Sequence, residues 1–549
     1  MQLAQRARVA NQRRLRPTPL WLLRAAGVAL VCAVLVPVVV LASSWLSPEV
    51  EIWQHLVETQ LPRLVANTLF LMLGVGVLVS VIGVSLAWFT VMCQFPGRAA
   101  FEWLLMLPLA VPAYVMAFVV LGVFDFGGPL QTQLRELLGA GWGIDVRNRA
   151  SVIVVFSLVL YPYVYMLARS AFLSQSSETL EVARVLGCTS RQAFFRVALP
   201  MARPAIAAGV GLALMETLAD FGTVAVFNYD TFTTAIYKSW FGFFSLQAAA
   251  QLASLLLLFV GVTLFAERRS RGHGLFVQGA KLQHLRRFPL PPVLAGLVSA
   301  YCALVLAFAF VLPMLQLLDW AVGEGVSQLT SRFFALLGHS LWLAAMAAAL
   351  TVTLALLLAF CRRFSRGRWG SIFAAAQLGY ALPGSVLAVG IMLSFSWLDR
   401  QWLLPLQAWL GLDPRPLLMG TVLTLLAAYW IRFLAVASGP LDSALERVKP
   451  SLPEVARTLG AGNWRLLWEV YLPMLRPGVL TALVLVFVDV MKEMPATLLL
   501  RPFGWDTLAV RIFEMTAEGQ WQLAALPALT LVLAGLIPVM LSIRASRGR

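Results

Sequence analysis

The chain has 549 residues, of which 60% are hydrophobic and only 12% charged, and its mean hydropathy is +0.81. So few charges cannot cover that much apolar surface in water, which excludes a soluble globular or disordered protein. The formal net charge of +16 would suit nucleic acid, but its distribution along the chain argues against that.

Apolar runs of about 20 residues indicate spanning helices rather than a barrel, whose strands would alternate in character. The first 20 residues carry Arg6, Arg8, Arg13, Arg14 and Arg16 ahead of an apolar run at 21–43. That run is too long for a secretory h-region and lacks a small-residue cleavage site, so it reads as a retained signal anchor. Further runs lie near 64–93, 101–124, 151–173, 204–226 and 247–266. A second set lies near 290–320, 336–361, 371–397, 416–438, 477–500 and 522–543. The expectation is all-α, twelve transmembrane helices arranged as six plus six, with segment 125–150 as an external loop. Five cysteines (Cys32, Cys93, Cys188, Cys302, Cys361) have no CxxC spacing and read as buried small hydrophobes.

With a cytoplasmic N-terminus, alternate connections place 28 Lys and Arg inside and 10 outside, with four more within the spans. The positive-inside rule therefore puts both termini in the cytoplasm and explains the basic charge as topology, with no nucleic-acid partner. The domain expectation is a basic N-terminus at 1–20, a first half at 21–266, a basic linker at 267–289, a second half at 290–543 and a basic tail at 544–549.

The two halves are repeats. EVARVLGCTSRQAFFRVALPMARP at 181–204 aligns without gaps on EVARTLGAGNWRLLWEVYLPMLRP at 454–477, offset by 273 residues and identical at 12 of 24 positions. Asn67-Thr68-Leu69 is echoed by His339-Ser340-Leu341, and LPLAVPAYVMA at 107–117 by LGYALPGSVLA at 378–388. Each long copy is a polar, basic island between apolar runs, on the inner side. A short helix is expected to begin near Glu181 or Glu454, with Glu181–Arg184 and Glu454–Arg457 pairing on one face. Ser451-x-x-Glu454 reads as a capping box. Gly187 and Gly460 supply a tight turn, and Pro200 or Pro473 closes a second helix before the next span. Two such islands on one side point to a docking surface.

The islands resemble the EAA loop of ABC importer permeases, E-A-A, three residues, Gly, nine residues, I-x-L-P. The matching residues are Glu181, Ala183, Gly187, Val197, Leu199 and Pro200, then Glu454, Ala456, Gly460, Val470, Leu472 and Pro473. Val182, Val455, Val197 and Val470 depart mildly from the pattern. The resemblance covers nearly the whole chain as two fused permease halves of the type I, MetI-like fold, with EAA loops at 181–200 and 454–473. It implies that each loop is a coupling helix seated on a cytosolic ABC ATPase. Two loops imply two ATPase subunits, which carry the ATP and Mg. The chain itself is then no enzyme and has no cofactor: it has no GxxxxGK[ST], and Lys238, Lys281, Lys449 and Lys492 do not follow a glycine.

The span after each island carries acids, Glu216 and Asp220 in the first half and Asp489 and Glu493 in the second, equivalent at the same offset. Their i, i+4 spacing would put each pair on one helix face. An acid at mid-bilayer costs roughly 2.5–3.5 kcal/mol on insertion scales, so these acids read as a candidate substrate path. The competing reading places them near a membrane face, bonding neighbouring helices, with Lys492 neutralising Asp489 or Glu493. Hard oxygen ligands suit a hard cation, although no fixed metal site is expected. METLADFGTVAVF, TFTTAIY and MKEMPATLLLRPFGWDTLAVRI are similar to runs of ferric-iron ABC permeases. This implies a bacterial inner-membrane permease receiving ferric iron from a periplasmic binding protein. Thiamine and polyamine permeases share the architecture, and a proton-coupled 6+6 secondary transporter would also use duplicated acids while leaving both islands idle. Tyr161, Tyr163 and Tyr165 read as packing aromatics around a helix-interrupting Pro162. Arg432 either pairs with an intramembrane acid or lines the path. His55, His273, His284 and His339 have no ligand spacing.

Overall fold

The computed structural model describes residues 20–47, 49–139, 143–175, 185, 187, 189–271, 287–365, 368–449, 451–462 and 465–547. Glu181, Ala183, Cys188, His273 and His284 lie outside them. The described residues are overwhelmingly helical, with one parallel ladder of two residues joining Cys93–Gln94 to Phe288–Pro289. Helix is what the hydrocarbon demands, because each segment then satisfies its own backbone groups.

All twelve expected runs are helical. Among the described residues ten helices are long and apolar enough to cross a membrane, and the bent pair Ile372–Ala381 with Gly384–Trp409, kinked by 116°, makes an eleventh if it is one span. Ala525–Leu541, in the place of the twelfth, is a shorter apolar helix. Segment 125–150 contains a helix, Pro129–Leu138, rather than loop alone.

Four runs expected to be continuous are broken, at equivalent places in the two halves. In 101–124, Val111 is extended (φ −88°, ψ 118°) ahead of Pro112, and a new helix starts at Ala113. In 371–397 the bend falls at Leu382–Pro383. A residue before proline is pushed out of the helical region, and proline has no N–H to continue the ladder. Helix Leu199–Ala219 stops at Asp220 (φ −71°, ψ 138°) and restarts as Gly222–Val226. Helix Leu472–Lys492 stops at Glu493 and restarts as Pro495–Leu500.

Other prolines do not stop their helices. Pro162 lies inside Arg149–Ser174, which runs through it. Pro200 and Pro473 follow π-turns at Phe194–Ala198 and Leu466–Tyr471, and the helix continues into the span. There Leu199 N–H reaches Phe194 O and Leu472 N–H reaches Leu467 O, five residues back. The wider turn accommodates the missing proline donor, so the expected closure at these prolines does not occur.

The chain forms two compact units that interleave the sequence halves. One comprises Met1–Val40 (in its described part), Leu341–Ala381 and Ser394–Val490; the other comprises Leu41–Ser340, Leu382–Leu393 and Met491–Arg549. In the larger unit, Leu61–Met92 and Leu199–Ala219 both press on Arg149–Ser174 through glycine. A Cβ on Gly83 would lie 2.7 Å from Val164 Cβ, and one on Gly209 would lie 2.7 Å from Val164 Cα. Small residues let helices approach where lipid supplies no hydrophobic drive. In the smaller unit Gly478 plays that part, its Cβ position lying 2.6 Å from Ala444 Cβ on Val422–Glu446.

Candidate functional site: repeated islands and broken spans

The second island is described almost completely. Its first helix, Ser451–Thr458, already includes Ser451, so the expected capping box does not form the start. Among the described residues Glu454 and Arg457 form no ion pair, and both are exposed; the pair present is Arg465–Glu469 at 2.9 Å. The helix ends as expected at glycine. Gly460 has φ +86°, its N–H reaches Arg457 O at 3.0 Å, and Ala461 N–H reaches Ala456 O at 2.9 Å. These are the paired bonds of a Schellman stop, which needs a left-handed residue. Gly187 in the first island is likewise left-handed, at φ +88°.

The apolar residues of this helix divide between a packed edge and an exposed row beside it. Inward, Ala456 packs on Leu445, Val448, Leu466, Tyr471 and Leu475. Outward, Leu452, Val455 and Leu459 are exposed, Leu459 to 81%. An apolar row with spacing i, i+3, i+7 on a basic island has the form of a surface made to be covered. In the first island Val185 is likewise exposed.

The acids take positions that sequence spacing did not foresee. Asp220 and Glu493 are not on a helix face with Glu216 and Asp489, because the helix has ended before each of them. Asp220 instead accepts from Thr223 N–H at 2.8 Å, Thr223 Oγ1 at 3.0 Å and Val224 N–H at 3.4 Å. Glu493 accepts from Ala496 N–H at 3.1 Å. Each carboxylate thus satisfies the opening donors of the next short helix, where an anion is favoured. Thr233 Oγ1 donates to Asp220 O, and Thr497 Oγ1 to Glu493 O, both at 2.7 Å.

These two breaks meet the third in the larger unit. A Cβ on Gly222 would lie 2.6 Å from Met494 Cε and 2.7 Å from Tyr114 Cβ. Tyr114, two residues past Pro112, is buried, and its hydroxyl has no hydrogen-bond partner among the described residues. Both Glu493 and Asp220 lie within electrostatic reach of that phenol. Lys492 Nζ donates to Leu109 O at 3.2 Å, just before the Val111–Pro112 break. Tyr114 was missed in the sequence. The available signal was a hydroxyl at the same place in both copies of the proline motif, since Ser385 is also buried with an unpartnered hydroxyl. No group of three or more His, Cys, Asp or Glu side chains is placed to hold a metal ion among the described residues.

Tyr161 and Tyr165 are buried and bonded to the backbone of a neighbouring segment. Tyr161 donates to Leu105 O and Tyr165 to Glu102 O, each at 2.9 Å. His339 stacks on Trp505 with centroids 4.9 Å apart. Arg432 lies within Val422–Glu446 with its guanidinium 5.8 Å from the Phe433 ring. Cys32, Cys93, Cys302 and Cys361 are free thiols, and Cys32 is exposed rather than buried.

Known proteins place this architecture. The Fe(3+)-transport system permease protein FbpB 2 of Haemophilus influenzae is 27% identical over 496 residues, spanning 88% of this chain and 90% of that protein. The ferric transport system permease protein FbpB of Actinobacillus pleuropneumoniae is 24% identical, spanning 84% of this chain and 68% of that one. Among solved structures, a bacterial alginate ABC transporter in complex with a pentasaccharide-bound periplasmic protein matches 46% of this chain with a TM-score of 0.36 and 17% identity. Residues 79–268 and 351–547 each match the family described as binding-protein-dependent transport system inner membrane component. Both halves of the sequence therefore carry the same permease domain, and the chain belongs to this family of multi-pass inner-membrane transport components.

Proposed function

We propose that this permease imports ferric iron, delivered by a periplasmic binding protein and driven by two copies of a cytosolic ABC ATPase docked on its two islands. The ferric cargo rests on the relatives named above, which are ferric permeases over most of this chain. The observation that carries the docking is the exposed row Leu452, Val455 and Leu459, on a helix anchored along its adjoining edge through Ala456. Glu181, Ala183, Gly187, Leu199 and Pro200 form the equivalent seat in the first half. Both termini and the linker 267–289 lie on the ATPase side, in keeping with the charge distribution.

In this reading ATP and Mg act on the partner, and closure of the ATPase pair moves the two loops. The movement shifts the permease between inward-open and outward-open states, which the ATPase biases by its different fit to each. Asp220 and Glu493, with Glu216 and Asp489 one turn earlier, line the path. A helix break within a span lets backbone and carboxylate groups face a pathway rather than lipid.

Uptake of radiolabelled ferric iron by iron-starved cells tests this, comparing wild type, a deletion strain, and the deletion complemented with Asp220→Asn/Glu493→Gln. Loss on deletion without rescue by the acid variant supports cargo and path together. Full rescue by an inserted, ATPase-bound acid variant removes the path and leaves the cargo. Unchanged iron uptake on deletion, with no other ferric importer active, moves the cargo to thiamine or polyamine.

A further inference from the structure

The span entering each island ends in an ion pair, and the members of the two pairs on those spans are repeat-equivalent and opposite in charge. Arg169, near the end of Arg149–Ser174, pairs with Glu102 on the short helix Arg98–Leu104. Asp442, near the end of Val422–Glu446, pairs with Arg362 near the end of Ser331–Phe364, which places Nη2 2.8 Å from both carboxylate oxygens. Positions 169 and 442 differ by the same 273 residues that separate the islands. What recurs is the tie, not its sign.

Each tie is reinforced toward the island that follows it. In the first half, Glu102 also meets Arg98 at 3.1 Å, and Arg98 donates to Thr90 O at 3.0 Å. Trp88 packs on Phe172 just before the island and on Phe194 within it, at centroid distances of 5.5 and 4.7 Å. Gln175 donates to Ala198 O at 2.9 Å, closing the base of the island. In the second half, Arg363 donates to Val448 O at 3.0 Å, and Phe360 and Phe364 meet Tyr471 at 5.5 and 6.1 Å. The anchors are neighbours rather than equivalents: the short helix Arg98–Leu104, itself bonded to Thr90 O, in the first half, and the end of Ser331–Phe364 in the second. The paired side chains are largely withdrawn from solvent, between 13% and 35% exposed. Such pairs are costly to break one-sidedly because the remaining charge stays poorly solvated.

We infer that Arg169–Glu102 and Arg362–Asp442 are positioning pairs that fix the base of each coupling loop to a second span. A push on the loop is then delivered to two spans together rather than spent in swinging the loop. This rests on the coupling role proposed above. It adds residues that contact neither cargo nor ATPase but set how much of the ATPase stroke reaches the spans.

The test uses the complete permease–ATPase complex. Ferric uptake is measured in cells, and nucleotide hydrolysis with the binding protein present in the purified complex. The variants are Asp442→Asn, Arg169→Gln and the swap Arg362→Asp/Asp442→Arg. The single changes are expected to lower uptake by roughly threefold to thirtyfold, in the range by which residues in coupling networks act. Permease abundance and ATPase co-purification should hold, so nucleotide hydrolysed per iron moved should rise. The swap should recover uptake to within about twofold, since it remakes the tie with the other sign, as the first half already does. Wild-type hydrolysis-to-transport ratios in the single variants overturn the inference, as does uptake that falls only in proportion to permease lost from the membrane. A swap no better than Asp442→Asn also overturns it. A wild-type complex that binds no ATPase would overturn the coupling reading itself, and would do so before any variant is made.

Discussion

Thr497 donates its hydroxyl to the main-chain carbonyl of Glu493 at 2.7 Å, at the point where the preceding long helix has stopped. Thr233 does the same for Asp220. Each break leaves a carbonyl that the helix ladder no longer serves, and a threonine from the following segment serves it. Replacing either threonine by valine keeps the shape and removes the donor. The expected cost is about 1–3 kcal/mol per site, because the carbonyl is left without that partner in a largely apolar setting. Thermal unfolding of the purified protein should show a lower midpoint for each variant, with the double variant close to the sum of the singles.

Asp220 separates a structural role from a charge role. Asparagine accepts the opening N–H groups of a helix about as well as aspartate, whereas alanine does not. Asp220→Ala is expected to cost about 1–2 kcal/mol of stability and Asp220→Asn much less. If the carboxylate serves the path, Asp220→Asn should still lose iron uptake while its thermal midpoint stays near wild type. Tyr114→Phe is the companion case. Its hydroxyl makes no hydrogen bond among the described residues, so removing it should leave stability unchanged or raised. A fall in uptake in this variant would mark the phenol as part of the path.

Gly222→Ala places a methyl group between Met494 and Tyr114. The methionine end can yield, but Tyr114 Cβ is fixed to its helix. Overpacking of this kind costs about 1–3 kcal/mol. Met494→Ala should recover only part of it, and membrane yield together with thermal midpoint will report both effects.

Val455→Asp and Leu459→Asp alter exposed side chains and should barely change the fold. Each should sharply reduce co-purification of the ATPase if this row is the docked face. Gly460→Ala differs. No described residue lies within 4 Å of its Cβ position, so the obstacle is the backbone, at φ +86°. The expected cost is about 1–2 kcal/mol, the left-handed penalty of an L-residue, and it should appear as weakened ATPase retention rather than as loss of the permease.

Sequence legibility followed the kind of information each feature leaves behind. The turns at Gly187 and Gly460 were readable because a left-handed stop calls for glycine. The spans were readable because hydropathy accumulates over about 20 residues. The breaks at Asp220 and Glu493 were not, because hydropathy does not register whether hydrogen bonding is continuous; an acid ending one helix and serving the next looks like an acid within a span. Pro200 and Pro473 misled in the opposite direction, since a π-turn accommodates the missing donor without altering composition. The interleaving of the halves was also hidden. A repeat is recognised in chain order, whereas compactness follows contact, and Leu382–Leu393 belongs with residues hundreds of positions earlier.

The two-residue ladder between Cys93–Gln94 and Phe288–Pro289 fixes where the second half of the chain starts. The linker does not deliver that half to an arbitrary point; its far end is fastened to the turn that follows Leu61–Met92, with Phe288 stacked on Trp88 at 6.3 Å. The fusion leaves the helix Leu246–Arg271 and reaches this ladder at Phe288. A nick between the two would not release a free end of the second half, because that end remains moored to the first.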